Sequence, residues 1–518
     1  MTESPLAAAR RIWTERRAVI LLWGGIVVCL TAAAVVRAVF LFKDSFATGF
    51  DGYYYALQVR SLIENGEVLN NDNSFVYPLL RFFALFFNDV VVSNKIAAIV
   101  LCSLTVVPFY LLTYRLTSSH ISTFAAALFF TLSFSQIYMS FEILKNGISL
   151  LFALWCVYCL ARFFDRWPYK VGALVFFALG FFTHKATACV LIVLVLAFGA
   201  GAFLVKRRSF PSGRRRLIMA AAAAAGVLIV AGVVFLSLGP LRLLDLQNLW
   251  GQFRLESVWE RFRLFAVQVA DTRIKSELFL LYAVPLVFIP FLISFLRDPL
   301  VPARHKIFIV ACYITQWTLL NPFLEFSWES ASYRLVLISL TFTALEIALI
   351  LARVRFFSRR IPRVLAAAVL TALVTITLPG MWERFHTDRY PPYSELNAAV
   401  VSLKQKIPPG GKLVCQAGLS FFIWYTTRIY TEHFLPEDPA GYYRLAYGIG
   451  PDHFGRYEDN PGYEEPVEIR PPYTLVKESV WRMFYREYAS RLRILTDWHN
   501  PSRERPPFVY AVKPQFRK

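Results

Sequence analysis

About eleven stretches of this chain stay apolar for close to the ~20 residues that a helix needs to cross ~30 Å of hydrocarbon. They cover residues 18–42, 90–114, 121–140, 147–164, 171–182, 187–205, 217–238, 278–296, 307–320, 335–351 and 364–378. Inside a bilayer a segment must pair its own backbone N–H and C=O groups, which leaves the α-helix as the conformation of such a stretch. Residues 75–87 are also rich in Phe, but Pro78 and Arg81 interrupt them, so they read as a juxtamembrane or re-entrant segment. Charged residues make up only 17% of the 518, too few to clothe a soluble chain of this size, against 57% hydrophobic residues and a mean hydropathy of +0.47. The fold class expected is therefore an all-α polytopic membrane protein. The first span is too long for a signal-peptide core and many spans follow it, so it reads as a retained anchor.

The net charge of +20 is not a nucleic-acid footprint, because the basic clusters recur in alternate loops. They are Arg10, Arg11, Arg16 and Arg17; Arg115; Arg162, Arg166 and Lys170; Lys206, Arg207 and Arg208 with Arg214, Arg215 and Arg216; Arg297, Arg304 and Lys306; and Arg353, Arg355, Arg359, Arg360 and Arg363. An excess of Lys and Arg marks cytoplasmic loops, which puts the N-terminus in the cytoplasm. The opposite side then receives residues 43–89, 141–145, 183–185, 239–277, 321–334 and everything after Gly380. The larger acidic and aromatic loop features fall on that far side.

Six of the seven cysteines lie in apolar spans and only Cys415 is in soluble sequence, so no disulfide framework is implied. Cys156 and Cys159 form a CxxC in mid-span with no second pair or His beside them, and read as packing residues. Between residues 241 and 275, Leu246, Trp250, Phe253, Phe262 and Phe265 recur at helical spacing among arginines, the pattern of an amphipathic helix in the interface or packed on the bundle. Beyond the last span the chain turns polar and Pro-rich. Helices are expected at 393–406 and 476–491, and strands at 412–416 and 508–513, giving a small C-terminal α/β soluble domain of about 130 residues. The expected division is a membrane domain at 1–383 and an extracytoplasmic domain at 384–518.

Two kinds of residue on the far side suit chemistry. Asp51 opens DGYYYALQVRSLIENGE, where positions 51, 54, 55 and 58 share a helix face with Tyr54 and Tyr55, and Arg60 follows. A partly desolvated carboxylate at that boundary can act as a general base toward an alcohol; the same residue before GYYY is also a good helix N-cap. Lys185 in FFTHKATA and Arg334 in SYRLVLISL stand at span ends on the side that the positive-inside trend leaves poor in cations. There each suits either a lipid phosphate or a snorkelling anchor. Glu142 and Lys145 in SFEILKN are three apart and can pair with each other, and His184 reads as a structural neighbour of Lys185.

In this order the motifs resemble those of the GT-C glycosyltransferases, in the branch of the protein O-mannosyltransferases and the lipid A aminoarabinose transferase. The matching stretches are DGYYYALQVRSLIENGE with its acid, VYPLLRFFALFFNDVVVSNKIAAIV with its proline and aromatics, Glu142 opening the fourth span, FFTHKATA and SYRLVLISL. The resemblance covers nearly the whole chain in architecture and implies a polyprenyl-phosphate sugar as donor, transferred at the outer face of a bacterial inner membrane to a hydroxyl of a lipid, protein or glycan. It implies Asp51 as the catalytic base, with Glu142 a second catalytic acid. Tyr54, Tyr55, Arg60, Lys185 and Arg334 become substrate-binding residues, the cations taking the donor phosphate. Direct displacement would invert the anomeric centre.

The chain departs from the oligosaccharyltransferase branch, which holds a divalent metal on a DxD-like pair and carries WWDYG in its soluble domain; neither motif occurs here. A single acid per loop is a thin metal site, so no cofactor or obligatory metal is expected. The competing reading is a non-enzymatic transporter or flippase of lipid-linked glycans, or an envelope-assembly scaffold. Transporters favour inverted repeats and ionisable groups near the midplane, whereas here no repeat is found and the unusual charges stand at span ends.

Overall fold

The computed structural model describes residues 5–49, 51–69, 72, 74–206, 275–320, 329–357, 412–415, 417–432, 442–447, 492–498 and 509–514, with isolated positions between 393 and 404. The expected spans at 217–238 and 364–378, most of the amphipathic stretch at 241–275, the helix at 476–491 and the domain boundary at 383/384 lie outside the described residues. The chain forms two compact units: residues 1–40, 74–76 and 96–386 in one, and residues 41–73, 77–95 and 387–518 in the other.

The first unit is helical. Its helices are α1 (Pro5–Leu41), the C-terminal part of α4 (Val90–Ser103), α5 (Val106–Thr117), α6 (His120–Leu132), α7 (Phe134–Phe141), α8 (Leu144–Ala161), α9 (Trp167–Thr183), α10 (Lys185–Lys206), α11 (Lys275–Arg297), α12 (Ala303–Leu319) and α13 (Glu329–Phe357). Among the described residues, six helices are long and apolar enough to cross a membrane, or seven if the bent pair α6 and α7 is one span. α8 lies along α9, α10 along α12, and α6 against α13, around a core of Phe109, Phe130, Leu191, Phe308 and Leu340. α1 is peripheral and leaves Val19, Ile20, Trp23, Val27 and Val35 exposed, the face of a helix bathed in lipid.

Lipid tails are as apolar as leucine, so helices in a bilayer associate through close packing, and small residues permit it. A Cβ added to Gly147 in α8 would lie 2.9 Å from the backbone oxygen of Met139 and 2.8 Å from Cys102 Sγ, so glycine is what lets α7 and α8 meet. The CxxC pair does related work: Cys156 Sγ bonds the Ala173 carbonyl at 3.4 Å, and Cys159 fills the space beside Gly172.

The segment read from sequence as one span at 121–140 is broken at Ser133, whose extended backbone (φ −63°, ψ 139°) turns α7 by 45° from α6. Ser133 supports the break on both sides: its hydroxyl donates to Phe130 O at 2.9 Å and accepts from Gln136 N at 3.4 Å. Beside the break lies Arg37 of α1, only 1% exposed. It donates to Ala33 O and Gln136 O, each at 3.2 Å.

Charge sorts along the axis of this unit. Asp165, in the turn between α8 and α9, accepts from Arg304 at 2.6 Å, Arg115 at 3.1 Å and Arg162 at 3.2 Å, bringing three loops to one end. A further pair at a helix end is Arg353 with Asp298. α9 runs from this basic end to Thr183 at the other, where the Ser74 hydroxyl donates to Thr183 O at 2.6 Å and Phe75 N to Phe182 O at 3.1 Å.

The second unit holds α2 (Gly52–Glu64), most of α3 (Val76–Ala84), the start of α4, and a five-stranded sheet with α14 (Ala417–Thr427). The strands are β1 (Lys412–Cys415), β2 (Thr431–Glu432), β3 (Tyr442–Tyr447), β4 (Leu492–Trp498) and β5 (Val509–Pro514), in the order β2-β1-β3-β5-β4. β1 is parallel to β2 and β3, while β5 is antiparallel to β3 and β4. Parallel neighbours need a crossover, and α14 supplies it between β1 and β2. The 9-residue α3, at 1.5 Å per residue, is too short to cross a bilayer, and it leaves Phe82 exposed with Leu85 and Phe86 just beyond its end.

Burial alone would raise the Asp165 carboxyl, but Arg162, Arg115 and Arg304 outweigh it and hold it below the usual carboxylate range. Asp165→Asn is expected to lower stability at pH 7 by about 2 kcal/mol, since three guanidinium groups lose a shared acceptor. Because the folded value is depressed, this contribution is complete above the unfolded value of ~3.9 and is lost as pH falls through the folded value. Thermal unfolding in detergent from pH 7 to pH 3 checks it: the gap between wild type and variant should close on acidification. A gap independent of pH would refute the assignment.

Candidate functional site

Asp51 stands at the N-cap of α2 with φ −85° and ψ −4°, and its side chain makes no capping hydrogen bond. Only its backbone oxygen enters the helix, accepting from Tyr55 N at 3.1 Å. Of the two roles open to this residue in sequence, side-chain capping is not realised, and the carboxylate is half-buried at the helix entrance.

The face of α2 that carries Asp51 is largely buried: Tyr55 and Gln58 are covered and Tyr54 is partly so. Tyr54 and Tyr55 meet edge-on with centroids 5.7 Å apart. Gln58 Oε1 accepts from Leu69 N at 2.7 Å, which holds the loop after α2 against the helix. That loop delivers Asp72, absent from the expected site. The hydroxyls of Tyr54 and Tyr77 both donate to Asp72 Oδ2, the second at 2.5 Å. Burial, reinforced by this carboxylate, pushes both phenols above their ordinary values, so they stay protonated and keep donating. The signal available in sequence was an acid flanked by asparagines in the same outer loop.

Arg60 has a partner the sequence did not suggest. It donates to Tyr425 O at 2.6 Å, and its guanidinium lies over the Tyr425 ring at 4.5 Å, tying α2 to α14. One turn further, Arg428 makes a two-pronged pair with Glu64 at 2.6 and 2.9 Å. Tyr53 completes this contact by packing against Tyr393, Phe422 and Tyr425.

The remaining expected residues belong to the first unit. Glu142 ends α7, its N–H donating to Tyr138 O at 2.9 Å, and is half-buried. α9 ends at Thr183 and α10 opens with Lys185; between them His184 is extended (φ −156°, ψ 132°). His184 Nδ1 accepts from Ala186 N at 3.2 Å, and its Nε2 lies 3.5 Å from an Arg334 nitrogen. Lys185 is thus next in the chain to the residue that meets Arg334, so two of the expected phosphate-binding positions gather at the end of the unit opposite Asp165. Among the described residues, no cluster of three or more His, Cys, Asp or Glu side chains is placed to hold a metal ion.

Because Tyr54 and Tyr77 share one oxygen, removing either hydroxyl strengthens the other's hold on Asp72. Tyr54→Phe and Tyr77→Phe are each expected to cost about 1 kcal/mol, and the double variant more than their sum, because the second removal takes the strengthened bond and leaves the carboxylate oxygen without either donor. A double-mutant cycle on thermal unfolding reads this, and strict additivity would argue against a shared acceptor.

No family model and no curated protein matches the chain. Among solved structures, it is similar to the crystal structure of ArnT from Cupriavidus metallidurans bound to undecaprenyl phosphate, with a TM-score of 0.50 and 14% identity, over 94% of this chain and 98% of that one. At that identity the likeness speaks of architecture. The chain shares the overall polytopic fold of that structure.

Proposed function

We propose that this protein is a membrane glycosyltransferase that moves a sugar from a polyprenyl-phosphate donor to an acceptor hydroxyl at the outer face of the cytoplasmic membrane. The observation that carries the reading is the ArnT-like fold over 94% of the chain, in a neighbour bound to undecaprenyl phosphate. The sorting of charge supports the orientation: the arginines that converge on Asp165 would face the cytoplasm, and His184, Lys185 and Arg334 the opposite side. On this reading the chain crosses the bilayer about eleven times, with its N-terminus inside. Residues 384–518 form an extracytoplasmic α/β domain that shapes the choice of acceptor.

The chemistry follows from the residue types. The Asp51 carboxylate takes the proton of the acceptor hydroxyl as that oxygen attacks the anomeric carbon. The bond from that carbon to the phosphate oxygen breaks, its electrons stay on the phosphate, and the configuration inverts. Lys185 and Arg334 stabilise the negative charge that builds on the departing polyprenyl phosphate, an effect aimed at the transition state rather than at bound donor. Tyr54 and Tyr55 line the acceptor side, with Glu142 a second acid. Arg60 acts on phosphate only with the donors that Tyr425 leaves to it. No cofactor is required, and a divalent metal is not favoured.

Asp51→Asn keeps the size of the side chain, and no capping bond of α2 is lost with its charge. With purified protein in lipid and a panel of radiolabelled polyprenyl-phosphate sugars, wild type is expected to turn over one donor. The variant should lose about 10²- to 10⁴-fold in kcat with unchanged thermal unfolding. Donor binding without turnover under any acceptor, indifferent to Asp51→Asn, would replace this reading with lipid-linked glycan transport.

A further inference from the structure

The cations around Asp165 outnumber it. Arg304 reaches its Oδ1 at 2.6 Å, and Arg115 and Arg162 share its Oδ2 at 3.1 and 3.2 Å. Three guanidinium groups against one carboxylate leave an excess of two positive charges, and the exposed Arg166 and Lys170 follow directly in the chain. Among the described residues no second acid pairs with these arginines. Residues 206–244 and 347–382, in which the chain runs on from α10 and α13, contain no Asp or Glu to make up the balance.

The three arginines differ in what they have left to give. Arg162 is committed: it donates to the Tyr158 hydroxyl at 3.0 Å and lies over the Tyr169 ring at 4.0 Å. The side chains of Arg115 and Arg304 each make one hydrogen bond, to Asp165, of the five a guanidinium can donate. They are 36% and 37% exposed, while on the covered side their Nε atoms, and Nε2 of His305, have no partner among the described residues. Burial, then the charges of Arg115 and Arg304, push the His305 imidazole below its ordinary value against the pull of Asp165, so the field there is positive. The depth of the cluster follows from α9. Trp167, two residues beyond Asp165, is exposed with Val171, Leu174 and Val175 on one helix face. A Trp at the head of an apolar, lipid-facing stripe marks the level of the headgroups. Spare guanidinium hydrogens at that level suit an anion that is itself held there, a lipid phosphodiester.

We propose that Arg115 and Arg304 bind the phosphate headgroup of an anionic phospholipid at the Asp165 end of the helical unit. Asp165, held by Arg162, takes one hydrogen bond from each of the two and sets their spacing; the lipid supplies the negative charge that the protein lacks. The site selects net charge, since phosphatidylcholine carries the same phosphate but cancels it with its own cation. On the orientation proposed above, the lipid belongs to the cytoplasmic leaflet. The site does not depend on the reaction, for it lies at the end of the unit away from His184 and Arg334.

Substitutions of opposite sign test this. Dissociation constants for phosphatidylglycerol and phosphatidylcholine are measured by native mass spectrometry on the full chain in neutral detergent, with inorganic phosphate as a third probe. Affinity for phosphatidylglycerol is expected to fall about fivefold in Arg115→Gln and in Arg304→Gln, and to rise about fivefold in Asp165→Asn, which frees both arginines from their internal partner. General damage to the bundle would lower all three. A second readout needs no change to the cluster: in wild type, phosphatidylglycerol should raise the pKa of His305 measured by NMR, with His305→Gln assigning the resonance, and phosphatidylcholine should leave it in place. Affinity indifferent to both arginine substitutions, a loss in Asp165→Asn as well, or a His305 pKa that ignores phosphatidylglycerol overturns the proposal. Inorganic phosphate bound with the same dependence on the arginines, without preference for phosphatidylglycerol over phosphatidylcholine, overturns the lipid in favour of a dissolved anion.

Discussion

Hydrocarbon gives a polypeptide nothing to bond with, and much of what the described helices do answers that constraint. Backbone groups pair within helices, and charges are driven to the helix ends, where they are neutralised in company. Asp165 shows the second effect: one carboxylate, 12% exposed, collects arginines from three helix termini. A surface ion pair of this kind is worth little alone. Three donors around one shielded acceptor act as a knot that fixes α5, α8 and α12 to one another at a single level. With that end fixed, the lengths of α9 and α10 set where the opposite end falls, and hence where His184 and Arg334 meet.

The same constraint explains why irregular backbone at membrane depth occurs only inside the protein. The break at Ser133 leaves carbonyls at the end of α6 that lipid would not satisfy; the serine hydroxyl takes that of Phe130, and Arg37 donates to the Gln136 carbonyl in the helix beyond the break. An arginine inside a span is costly unless it pairs with carbonyls or carboxylates, so the bend and the buried cation belong together.

Architecture was legible in the sequence because apolar length is a strong signal. Apolar runs put the helices of the first unit in place, and the alternation of basic loops anticipated the gathering of arginines at one end. What remained hidden depended on partners far apart in the chain or on single torsions. The bend at Ser133 needs only one extended residue inside an apolar run. The tie between Arg60 and Tyr425 joins positions 365 residues apart, and no periodicity reports it. At the candidate site, Asp51 at the start of α2 was readable from its helix pattern. Asp72 was not, since two tyrosines make it notable only once α3 folds back beside α2. The bond from Ala186 N to the His184 ring is a detail of loop geometry that no motif encodes.

Arg37 also bears on how the bundle is built. Its Gln136 partner is 99 residues further along, so when α1 is made the acceptor on α7 does not yet exist. Arg37 is four residues from the end of α1, close enough for its side chain to reach the headgroups while it waits. A guanidinium at that height can stay in water until its acceptor on α7 is beside it. The bond from Arg37 to Gln136 thus ties the docked position of α1 to the presence of the broken helix.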